Sequence, residues 1–267
     1  MTIQNKSSGS LYWLYDISFL FIIFLYSWFI FQGLVDLSAG GVNINSDIST
    51  YISSMVAQVY PEYFKNDFIL KNILNVNSFF SLQQFLAEKL TVDNMFALAL
   101  LKSGALIIFI FYAGYYFLGR FLFYYPTLAC ALSVLIGITI YMPFGTFWGI
   151  TNLEPSPKVF FAALWPFLLI LSILSWDKYF LRPVVMLLSG LCVFVHALSA
   201  ITTGLMFFFF FICGQNSLTK TKHIYLLLFS FALYFIPILY FLWPFLTQMN
   251  TFSASDMEIF QQLFYIF

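Results

Sequence analysis

Charge is what this 267-residue chain has least of. Lys, Arg, Asp and Glu together make up 8% of the residues, and the formal net charge is zero. A basic surface for nucleic acid is therefore excluded. Cysteine is scarce too. Cys130, Cys192 and Cys213 all lie inside apolar runs, which reads as small buried hydrophobes rather than a disulfide or zinc framework. The familiar local motifs of catalysis are missing: there is no P-loop, no HExxH, no GxSxG and no cysteine pair. Matched halves with broken helices, the mark of many transporters, are not evident, nor is an internal repeat.

Apolar residues are abundant instead. They form 62% of the chain, with 37 Phe, and the mean hydropathy is +0.91. No water-soluble fold hides that much apolar surface, so lipid is the solvent. A spanning helix needs about 20 apolar residues, and only helices or closed barrels satisfy the backbone there. The runs are continuous rather than alternating, which selects helices. The expected fold is all-α: one polytopic transmembrane bundle over 1–267, with amphipathic surface helices in its first outer loop. Spans are expected at 11–34, 96–118, 124–142, 158–175, 183–197, 199–213 and 224–244. The stretch from Leu11 to Leu34 is too long for a signal-peptide core and lacks a cleavage site. The fifth and sixth spans are short, so 183–213 reads as two spans or a hairpin that does not fully cross.

Orientation follows from the short loops. With the N-terminus inside, cytoplasmic breaks hold Lys6, Arg120, Lys178, Arg182, Lys220 and Lys222. The outer loop 143–157 holds no Lys or Arg. The expected location is the plasma (inner) membrane, with the working face outside. Segment 35–95 then lies outside. From Asp47, the apolar residues Ile48, Tyr51, Ile52, Met55, Val56 and Val59 fall on one helical stripe, with Ser46 suited to the N-cap. A second stripe, Phe79, Leu82, Leu86 and Leu90, predicts a helix over 78–90. Both helices are expected in the membrane surface plane. The tail opens with a Ser255–Glu258 capping box and ends on apolar residues. That reads as the N-terminal part of a longer protein.

This topology gathers polar groups at the outer plane: Asp36, Asp47, Glu62 and Asp67, then Glu154, then His196, with Lys102 and Lys158 near the same level. Carboxylates can deprotonate an acceptor hydroxyl or hold a divalent metal. Cations can balance a phosphate leaving group. Each has a plainer reading. Asp47 begins a helix, where the dipole alone favours a negative charge. Asp67 can cap a turn or pair with Lys71. Glu154 sits before Pro155 and near Pro157, which stiffen its loop. Lys102 can snorkel outward. His196 is either a packing residue or, as an ionisable group at membrane depth, a functional one.

The stretches Ser46-Asp47-Ile48-Ser49-Thr50-Tyr51 and Gln58-Val59-Tyr60-Pro61-Glu62-Tyr63-Phe64-Lys65-Asn66-Asp67, with Glu154 later and His196 at a hairpin turn, resemble the polytopic GT-C glycosyltransferases. The resemblance covers most of the chain by layout and a few positions by motif. The first loop departs from the pattern in lacking an adjacent Asp-Glu pair. The resemblance implies transfer of a sugar from a polyprenyl phosphate to an acceptor outside the membrane. Asp47 would be the base and Glu154 its catalytic companion. Asp67 would orient the acceptor, and Lys102, Lys158 or His196 would face the lipid phosphate. A divalent metal, if used, would fall to Asp47, Asp67 and Glu154. Membrane lipid and the lipid-linked sugar are the implied partners. The competing expectation is a non-enzymatic carrier of lipid-linked glycans, or a scaffold subunit for envelope assembly.

Overall fold

Two tyrosines and a proline make a sharp turn between two helices. Tyr124 takes a left-handed conformation (φ 62°), its N–H returning to the Arg120 carbonyl at 3.0 Å. Pro126 then starts the next helix, where its missing N–H costs nothing. The computed structural model describes residues 9–39, 61–64, 96–137, 140–141, 147–148, 157–214 and 220–248. Within them the helices are α1 (Gly9–Ala39), α2 (Phe96–Phe123), α3 (Pro126–Gly137), α4 (Pro157–Asp177), α5 (Arg182–Leu191), α6 (Ala197–Cys213) and α7 (Lys220–Gln248). Single 3-10 turns lie at Pro61–Phe64, Tyr179–Leu181 and Cys192–Phe194.

The protein is a helical integral membrane protein. Four helices carry segments long and apolar enough to cross a bilayer: Tyr12–Ile30, Gly104–Phe123, Pro157–Asp177 and Thr221–Trp243. The 17-residue α6 rises about 25 Å, less than a hydrocarbon core of about 30 Å. The ten residues of α5 rise about 15 Å. The pair is therefore a short hairpin beside full-length neighbours. The third expected span ends early, at Gly137. Ile140 and Tyr141, β-branched and aromatic, are in a strand instead, which such residues favour. Strands β1 (Ile140–Tyr141) and β2 (Phe147–Trp148) pair antiparallel, Ile140 opposite Trp148 and Tyr141 opposite Phe147. Pro143 and Gly145 fall between them in sequence. The surface helices expected near 48–59 and 78–90, and the capping box of the tail, lie outside the described residues.

Two packed cores share α4. Ile107, Ile108, Phe111 and Leu118 of α2 meet Val159 and Ala163. On the far side, Phe161 and Leu168 meet Val185, Met186, Phe207 and Tyr234 from α5, α6 and α7. Lipid is as apolar as these side chains, so close fit rather than water exclusion holds the helices together. Gly190 is the tightest case against a neighbouring backbone. A β-carbon there would lie well inside contact distance of the Tyr234 carbonyl oxygen on α7. Tyr234 in turn donates its hydroxyl to the Ile201 carbonyl of α6 at 2.9 Å. One residue thus ties three helices, through its carbonyl on one side and its ring on the other. Gly190→Ala forces α5 off α7, at an expected cost of about 1–3 kcal/mol, read as a lower midpoint of thermal denaturation in detergent.

The buried serines do not wet this interior. Ser172, Ser189 and Ser230 each donate back to a carbonyl of their own helix, the usual way a hydroxyl is satisfied in a membrane helix. Ser133 instead crosses from α3 to the Tyr112 carbonyl of α2 at 2.7 Å.

Candidate functional site

The site lies between α4 and the end of α5 with the turn that follows it. The two helices run antiparallel, and leucines and phenylalanines line the gap between them. The result is an apolar groove of about 380 Å³, open on one side. Phe160, Leu164, Phe167, Leu168 and Leu171 form its α4 wall. Leu188, Leu191, Cys192 and Val195 form the other. Its volume is within the range of about 300–1,000 Å³ of small-molecule pockets, at the lower end. The α4 wall spans twelve positions from Phe160 to Leu171, a rise of roughly 17 Å. That is about the depth of one leaflet's hydrocarbon. A single lipid chain matches both dimensions.

Two of the sequence-predicted residues flank the upper end of the groove. Lys158 is two residues ahead of Phe160 and is exposed. His196 directly follows Val195 and is half-buried. The structure brings them close enough for the Lys158 charge to act on the imidazole. Burial first, and that ammonium second, hold His196 below the ordinary imidazole range. His196 is also the N-cap of α6, in extended backbone conformation. Its Nδ1 accepts the Ser199 N–H at 3.3 Å and lies 2.8 Å from the Ser199 hydroxyl.

Lys102 belongs to the second turn of α2. Asp47, Asp67 and Glu154, the expected acids, lie outside the described residues. Among those described, no three His, Cys, Asp or Glu side chains gather as a metal cage requires. The 3-10 turn Pro61–Phe64 carries Glu62, which is exposed.

At the opposite end of the α4–α5 pair lies a residue that composition cannot single out. Arg182, expected in a polar break, is fully buried. Its Nε donates to the Ser175 carbonyl at 3.4 Å and its Nη1 to His223 Nδ1 at 3.4 Å. Its guanidinium lies 5.4 Å from the Phe211 ring centre, a cation–π arrangement. A second charged cluster ties α1 to α2. Arg120 and Asp16 pair at 2.8 Å, with a second bond from Nη2 at 3.1 Å. Tyr116 donates its hydroxyl to the same carboxylate. The rings of Tyr12 and Tyr124 lie 5.7 and 5.6 Å from the guanidinium. The signal for this pair was a lone Asp near the start of one span and a lone Arg near the end of the next. Helices joined antiparallel bring such positions level. No family model, curated protein or solved structure matches this chain.

Proposed function

We propose that the protein is a membrane glycosyltransferase of the GT-C type, using a polyprenyl-phosphate sugar at the extracytoplasmic face. The observation that carries this reading is the one-chain apolar groove with Lys158 and His196 beside its upper end. An isoprenoid tail needs a dry channel at membrane depth. Its phosphate needs a cation where the channel meets water. The positive-inside distribution of Lys6, Lys178, Lys220 and Lys222 supports an N-terminus in the cytoplasm and a groove mouth on the other side.

In this reading the tail enters sideways between α4 and α5, so the donor never leaves the bilayer. Lys158, with Lys102, balances the charge that builds on the phosphate as the glycosidic oxygen departs. Asp47 takes the proton of the acceptor hydroxyl as that oxygen attacks the anomeric carbon. Asp67 and Glu154 orient the acceptor. The plasma membrane is the compartment this chemistry fits.

The test fills the groove without touching the core. Leu191 lines the groove and is 44% exposed. Leu191→Trp is expected to lower polyprenyl-phosphate binding and sugar transfer by about tenfold, equivalent to about 1.4 kcal/mol. Val184→Trp, on the same helix at 43% exposure and outside the groove lining, is the control and retains both. Equal behaviour of the two variants removes the groove from the reading. A carrier or scaffold gives lipid binding with no transfer in any variant.

A further inference from the structure

The geometry points to Ser199 as a positioning residue that fixes His196 as a neutral ring protonated on Nε2, so that His196 serves the lipid phosphate as a hydrogen-bond donor and not as a base. The inference deepens the proposed reading and rests on it for the identity of the ligand, but not for the state of the ring.

The argument starts from a backbone N–H, which can only donate. The Ser199 N–H points at His196 Nδ1, so Nδ1 must present its lone pair. The Ser199 hydroxyl at 2.8 Å is then a second donor to the same atom. A proton placed on Nδ1 would break the backbone contact and uncap α6, and the hydroxyl alone would be left, turned round to accept it. In a neutral imidazole with Nδ1 unprotonated, the hydrogen is on Nε2. Nε2 has no hydrogen-bond partner among the described residues. Burial and the Lys158 charge work in the same direction, since both disfavour the imidazolium.

The chemical consequence is a division of labour at the groove mouth. Lys158 supplies charge, and His196 supplies one directed N–H. A ring already carrying its proton on Nε2, with Nδ1 engaged, has no lone pair to offer an acceptor hydroxyl. His196 is therefore not the base, and that role stays with Asp47 as proposed. A phosphate monoester or diester on a single chain suits the pair. A neutral glycolipid offers no anionic oxygen for either group.

The experiment uses the full chain in lipid nanodiscs, labelled with ¹⁵N-histidine. His223→Gln identifies the resonances of the only other histidine. The expected spectrum at neutral pH has a pyridine-type Nδ1 and a proton-bearing Nε2 for His196. Dodecyl phosphate is expected to shift Nε2, inorganic phosphate much less because no chain anchors it, and dodecyl maltoside not at all. Ser199→Ala keeps the backbone N–H, and with it the tautomer, but removes the hydroxyl that holds the ring, and is expected to weaken dodecyl phosphate binding several-fold. His196→Gln, whose amide can present an N–H near the Nε2 position, is expected to keep most of the binding and transfer that His196→Ala loses. A proton on Nδ1, or a cationic ring at neutral pH, overturns the inference while leaving the groove reading intact. The expected tautomer with no response to dodecyl phosphate overturns both the donor role and the reading beneath it. Activity in His196→Ala rescued by an added imidazole base, but absent in His196→Gln, makes the ring a base and also overturns the inference.

Discussion

Asp47→Asn is expected to lower sugar transfer by about 10²–10⁴-fold while lipid binding stays as in the wild type. That is the range associated with loss of a positioned general base. The asparagine keeps the size of the aspartate and loses only its charge, so a residue that merely favours the helix start through the dipole would leave activity nearly unchanged. Asp47→Ala removes the polar end of the side chain as well. A helix-start function predicts a small loss of folded protein in both variants and near-normal turnover in what remains. A base function predicts that both are equally inactive and equally folded. The measurement is transfer from a polyprenyl-phosphate sugar in reconstituted membranes, alongside thermal denaturation of each variant. Wild-type turnover in a folded Asp47→Asn protein removes Asp47 from the chemistry.

The second large effect concerns stability. Asp16→Ala leaves Arg120 without its carboxylate in a site where the two side chains keep only 19% and 29% exposure. Breaking a buried ion pair from one side costs about 3–5 kcal/mol, and partial exposure puts this pair at the lower end. Arg120 Nη1 is already buried without a hydrogen-bond partner among the described residues, so the guanidinium has little to fall back on. Tyr116 loses its acceptor at the same time. Asp16→Asn keeps an acceptor and is expected to cost less. The double change Asp16→Ala with Arg120→Met is expected to recover much of the loss, because no charge is then stranded. Denaturation in mild detergent gives the three values. Additive losses in the double variant would mean that the two residues act independently.

Much of this architecture is visible in composition because a bilayer imposes length. The runs at 11–34, 96–118, 158–175 and 224–244 each correspond to a long helix. The shortness of 183–213 was equally legible. Its two runs became α5 and α6, with His196 at the turn. The third run misled at its end, because Ile140 and Tyr141 are as apolar in a strand as in a helix. Hydropathy carries no period over so short a stretch. What the sequence could not convey is which lone charges meet. Asp16 and Arg120 are 104 positions apart, and Arg182 and His223 are 41 apart. Neither pair obeys a helical spacing. The groove is likewise a property of the spacing between α4 and α5, and its lining residues look like any other membrane leucines. Lys158 and His196 could be named in advance as ionisable groups near one plane. Their neighbourhood, and the part played by Ser199, needed coordinates. Asp47, Asp67 and Glu154 are legible only through the motif and its resemblance, since they fall outside the described residues.

The buried Arg182 also decides how the groove can open. It reaches the end of α4 through Ser175, α6 through Phe211 and α7 through His223, so the lower tip of α5 cannot swing without dragging three neighbours along. At the upper tip the helix gives way to a 3-10 turn and a single extended residue. Near its other end, Gly190 sits against the Tyr234 carbonyl of α7. The short helix is clamped at both ends, so a tail entering from the bilayer has to be accommodated by the groove's leucine and phenylalanine side chains rather than by a swing of α5.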